Sequence, residues 1–72
     1  MIRFKMITRL DIRKKVGEIA ENIDDPETAH SLEDALYEFV LKTISIKNTD
    51  DPLGLCLEAL NTKKIDFCRW CA

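Results

Sequence analysis

No apolar run in this chain approaches the roughly 18 residues that a membrane-spanning helix needs, so the sequence predicts a chain that does not cross a membrane. Met1 to Met6 is too short and too charged for the apolar core of a signal peptide. The three cysteines cannot all pair within one chain, and Cys68 and Cys71 lie too close to the C-terminus to frame a secreted scaffold. Reduced thiols and a cytoplasmic location are therefore expected. Glycine-rich phosphate loops and a G-x-S-x-G element are missing, which removes the common cofactor and nucleophile motifs; no cofactor is expected.

What remains is small and highly charged. A chain of 72 residues makes one domain and buries only about 60% of the surface its unfolded form exposes, so a second subunit, a metal or a disulfide is the usual support. The net charge of −2 hides an asymmetry. Residues 1–15 carry Arg3, Lys5, Arg9, Arg13, Lys14 and Lys15 against Asp11, whereas residues 16–60 carry eleven acids against Lys42 and Lys47. A basic head and an acidic body can steer a charged partner or hold two copies together.

The apolar spacing predicts an all-α domain over residues 8–72, a three-helix bundle ending in a short helical turn, preceded by a basic extension at 1–7. Ile2, Phe4 and Met6 alternate with Arg3 and Lys5 in strand fashion, and Thr43 to Lys47 alternates similarly and is the one candidate partner. Met6 offers a second start that would leave residues 1–5 contributing little to the fold. The first helix follows Thr8 as N-cap, carries Leu10, Ile12, Val16, Ile19, Ala20 and Ile23 on one side, and stops before Pro26. Gly17 weakens it by about 1 kcal/mol relative to alanine and suggests close packing. A second helix is predicted from Ser31 to about Ile44, with Ser31 as cap and Leu32, Ala35, Leu36, Phe39, Val40 and Ile44 facing the core. Asp51-Pro52 opens a third, with Leu53, Cys56, Leu57 and Leu60 as its buried stripe. The apolar residues from Ile65 to Cys71 then predict a last helical turn whose Phe67 and Trp70 close the core or dock on a neighbour.

Each chemical constellation meets an obstacle. Cys68-Arg69-Trp70-Cys71 is a C-x-x-C, but the second pair of a zinc site would be Cys56 and the distant His30, so no metal is expected. Glu18 and Glu21 match half of the paired Glu-x-x-Glu motif of all-α nucleotide pyrophosphatases, and nothing supplies the other half. His30, Ser31 and Glu33 or Asp34 are neighbours at a predicted helix start, where they fan out instead of converging as triad members must. Arg9, Arg13 and Lys14 on the first helix are the residues a nucleic-acid-binding regulator would use, but an isoelectric point near 5.3 disfavours phosphate.

Ala29-His30-Ser31-x-Glu33-Asp34-x-Leu36-Tyr37, taken with Ile65-Asp66-Phe67-x-Arg69-Trp70-Cys71-Ala72, resembles a family of very small acidic proteins of bacteriophages and bacteria. The resemblance spans residues 8–72 and implies a phage or prophage setting and no mechanism; small size, split charge and the surplus apolar groups Ile2, Phe4, Phe67 and Trp70 favour docking on a partner, such as a host protein, or on a second copy. The resemblance marks two polar clusters, His30, Glu33, Asp34 and Tyr37 at one end and Asp66, Phe67, Arg69 and Trp70 at the other, as candidate binding residues. Arg69 gripping His30, Glu33 or Asp34 would clasp the tail to the second helix through a charge-assisted pair. The reading that follows is a non-enzymatic protein-protein interaction module that can also self-associate, with a nucleic-acid-binding regulator as the alternative.

Overall fold

The computed structural model describes residues 5–69. Its elements are three helices, α1 (Arg9–Ala20), α2 (Pro26–Ser45) and α3 (Pro52–Ala59), followed directly by a 3-10 turn, Leu60–Lys64. The chain is a small all-α three-helix bundle in which each helix packs against the other two. Among the described residues there is no strand, and no helix is long and apolar enough to cross a membrane. Residues 1–4, which carry most of the alternating N-terminal segment, and Trp70, Cys71 and Ala72 lie outside the described residues.

All three helices begin on a short acceptor side chain that takes a free first-turn N–H. Thr8 caps α1 in a reciprocal box: Asp11 N–H reaches the Thr8 hydroxyl at 3.4 Å, and the Thr8 N–H reaches the Asp11 carboxylate at 2.9 Å. Asp25 and Asp51 cap α2 and α3, accepting from Thr28 N–H at 3.3 Å and Gly54 N–H at 3.0 Å, each with proline at the next position. Asp25-Pro26 therefore starts α2 five residues before the expected Ser31. His30 and Ser31 are carried into the helix interior, and the cap assigned to Ser31 is not made.

The end of α2 corrects the two-strand expectation. Thr43 to Ser45 are helical, and the helix closes with Asn48 N–H on Thr43 carbonyl (3.0 Å) and Lys47 N–H on Ile44 carbonyl (3.0 Å). Lys47 sits at φ 57°, a left-handed position usually given to glycine. The extended segment before α1 lies alongside the following turn, with Ile7 N–H on Asn48 carbonyl (2.9 Å) and the Thr49 hydroxyl on Ile7 carbonyl (2.8 Å).

The core consists of Ile12 and Ile19 from α1, Ala29, Leu36 and Val40 from α2, Leu55 and Ala59 from α3, and Phe67 from the tail. Phe67 closes the core as expected of the C-terminal segment, but from an irregular stretch, because the last helical turn ends at Lys64 and Ile65 is extended. On α1, Leu10 and Ala20 are exposed, Ile23 is exposed in the turn beyond the helix, and Gly17 has open space around it and marks no close packing. Alpha3 is turned about its axis relative to the expected stripe. Gly54, Leu55, Glu58 and Ala59 face inward, while Leu53, Leu57 and Leu60 face out and Cys56 is half-buried. Glycine and alanine let α3 approach its neighbours closely, and Glu58 goes inward because Arg13 of α1 meets it there.

Candidate functional site

Two ion pairs close the seam between α1 and α3. Arg13 donates to Glu58 at 2.7 and 3.4 Å, and Arg9 donates to Asp51 at 2.7 Å. The hydrogen bond from Arg13 holds the Glu58 carboxyl below its usual range against the opposing effect of burial, with Arg9 and Asn61 adding to it, and Arg9 followed by the Gly54 N–H does the same for Asp51. The basic head and acidic body are thus partly neutralised by one another. Of the three residues offered for nucleic acid, Arg9 and Arg13 are engaged with carboxylates and Lys14 is exposed.

The polar clusters of the two sequence ends meet at a second location. Glu33, one turn ahead of Tyr37 on α2, is only 2% exposed and receives Arg69 in a two-pronged pair: Nε on Oε1 at 2.9 Å and an Nη on Oε2 at 2.8 Å. The same Nη also donates to Thr62 carbonyl at 3.0 Å, and the guanidinium lies 3.9 Å from the centre of the Phe67 ring. Arg69 therefore ties the tail to both α2 and the 3-10 turn. Arg69 holds the Glu33 carboxyl below its ordinary range against the opposing effect of burial, with the Thr62 hydroxyl adding to it. The Tyr37 hydroxyl and Thr62 Oγ1 share a hydrogen bond beside the pair. Among the described residues, every buried side-chain nitrogen and oxygen has a hydrogen-bond partner.

The other candidates fall outside this cluster. Asp34 is exposed and stands 3.6 Å from His30 Nε2, one helical turn away, and Arg69 pairs with Glu33 in its place. Asp66 is exposed and acts on Arg69 through its charge alone. Trp70 is among the residues not described. Among the described residues, no group of three His, Cys, Asp or Glu is placed to hold a metal ion.

Tyr37 joins the clasp to a feature that periodicity missed. A groove of about 290 Å³ runs between α2 and α3, walled by Tyr37, Val40 and Leu41 on one side and by Cys56, Ala59 and Leu60 on the other, with Lys63 at its end. Lys63 Nζ stands 5.8 Å from the Tyr37 ring centre. The rim is apolar and open: Leu41 is 69% exposed, Leu60 54%, and Leu57 and Leu53 continue the same outward line at 52% and 71%. Four exposed leucines on one side of so small a domain make a patch that water does not favour. The clasp braces this groove, since Thr62 and Lys63 belong to the turn that Arg69 holds down. One sequence signal for the outward leucines was available. Between Pro52 and Leu60 the only charged residue is Glu58, so α3 is apolar nearly all round and its periodicity points to no single face.

No family model, curated protein or solved structure matches the chain.

Proposed function

We propose that this chain is a non-enzymatic protein-protein interaction module whose docking surface is the apolar groove between α2 and α3. The observation that carries the reading is the exposed leucine rim around a groove whose walls are held in place by the Glu33–Arg69 clasp. Burying exposed leucines contributes roughly 25 cal/mol per Å² of apolar area, and a groove held rigid before binding loses less entropy when it is filled. The likeness to small phage proteins supplies the setting: a phage-encoded modulator or inhibitor of a host protein, acting in the host cytoplasm. Engagement of Arg9 and Arg13 by carboxylates argues against the nucleic-acid alternative, because phosphate would have to displace those partners.

A photo-cross-linking residue placed at Leu41 tests the surface inside the native host, with the same label at exposed Glu21, at the end of α1, as control. A discrete protein adduct from position 41 and none from position 21 is expected. No adduct from position 41, or equal labelling from both, overturns the reading.

A further inference from the structure

The outer face of α3 beside the groove is flanked by opposite charges at its two ends, and that asymmetry selects an occupant. The N-terminal end of α3 is acidic, with Asp50 exposed just ahead of the Asp51 cap, and the far end of the following 3-10 turn is basic, with Lys63 and Lys64 exposed. Between these ends the outward face carries Leu53, Leu57 and Leu60 and no charge, because Glu58 is turned inward to Arg13. We propose that the groove is filled by a second copy of the same chain, with the two α3 helices antiparallel about a two-fold axis between Cys56 and Leu57. The inference rests on the groove being a protein-docking surface and makes a second copy its occupant, so that a host protein would be met by the dimer.

The register follows from the residues. Setting Cys56 against Leu57 of the second copy also sets Leu53 against its Leu60 and Asp50 against its Lys63. With 1.5 Å per residue in α-helix and 2.0 Å in the 3-10 turn, Lys63 lies about 12 Å from the axis, and the bend at Asp50 lies two residues ahead of the opposite helix start, within reach of the long lysine side chain. A parallel arrangement would bring acid to acid and base to base. A two-fold contact must be self-complementary, and here one face supplies both the leucine ridge and the groove beside it, with Leu60 belonging to each. The need for a second copy is also physical. Among the described residues eight apolar side chains are buried and eight large ones are exposed, a ratio that leaves so small a domain short of core.

Sedimentation over a wide concentration range reads the outcome. The protein should pass reversibly from monomer to dimer. Leu57→Lys should weaken the dimer by about tenfold or more while leaving the melting temperature of the dilute monomer unchanged, since this residue is exposed in the single chain. Asp50→Lys and Lys63→Glu should each weaken it, and the double variant should recover much of the loss, which a purely local role of Lys63 beside Tyr37 would not produce. A short thiol-thiol cross-linker should trap the dimer, and Cys56→Ser should abolish that product. A monomer at every concentration, a dimer indifferent to Leu57→Lys, or a double charge variant no better than the singles overturns the proposal. The photo-adduct from Leu41 separates the two readings: an adduct of any mass other than two chains removes the second copy and keeps the docking surface, whereas no adduct removes the surface itself.

Discussion

The α1–α3 seam and the Glu33–Arg69 clasp both join arginine to carboxylate, yet the surroundings make them different interactions. At the seam, Arg9 and Asp51 are each about half exposed, and Arg13 is more so although its partner Glu58 is mostly covered, which leaves both pairs open to water and salt from the arginine side. In the clasp, the Glu33 side chain is 3% exposed, and Arg69 brings it two direct hydrogen bonds. The seam sets which helix faces meet. The clasp decides whether the tail and the groove wall stay in place.

The largest expected effect is on the clasp. Arg69→Ala leaves a buried carboxylate unpaired and should lower stability by about 3 kcal/mol in urea unfolding, with Thr62 and Lys63 becoming more exposed to hydrogen exchange. Arg69→Ala and Glu33→Gln should be strongly non-additive, whereas pairing Arg69→Ala with Asp34→Ala should give additive losses, because Arg69 pairs with Glu33 in place of Asp34.

Acid offers the next contrast. Glu33 has a folded-state pKa below its unfolded value, so its stabilisation is complete above the ordinary carboxylate range and is lost as pH falls through the folded pKa. Glu58 and Asp51 have the same sign. In high salt the seam's share of the acid sensitivity should shrink. The sensitivity that persists in the wild type and is missing from Arg69→Ala then belongs to the clasp.

A smaller effect separates the two glycines. A Cβ at Gly54 would collide with the Asp51 carboxylate and the Arg9 guanidinium, so Gly54→Ala should open the Arg9–Asp51 pair, disturb the α3 cap and lower the melting temperature. Gly17 lies in open space within α1, and Gly17→Ala should raise stability by about 0.5–1 kcal/mol. Arg13→Ala leaves the mostly covered Glu58 without its partner, but from the side that Arg13 leaves open to water, so its loss should be smaller than that of Arg69→Ala and should shrink in high salt. A loss as large as that of Arg69→Ala would break the distinction between seam and clasp.

Local signals carried much of this architecture. Thr8 and Asp51-Pro52 announced two helix starts correctly, since a cap depends on residues within one turn. Asp25-Pro26 is the same dipeptide and was read only as a stop, although the first helix ends at Ala20 and the proline opens the second. The meeting of Arg69 with the start of the AHS-x-ED stretch was legible as a choice among three partners. Burial selected Glu33, because an inward carboxylate needs a cation and the outward Asp34 does not. Arg9 and Arg13 opposite Asp51 and Glu58 went unrecognised, since nothing in either helix alone shows which face will be turned to the other.

The sequence by itself determined the three helices, the caps on α1 and α3, Leu36 and Val40 as core positions of α2 and the opposed charges of head and body, because these follow from local spacing and composition; Ala35, expected on the same face, is exposed. Only the tertiary structure decided the rotation of α3, and with it the groove. A helix that is apolar nearly all round can bury either side. Packing chose the side whose glycine and alanine permit close approach and whose one acid finds an arginine, leaving the leucines outside.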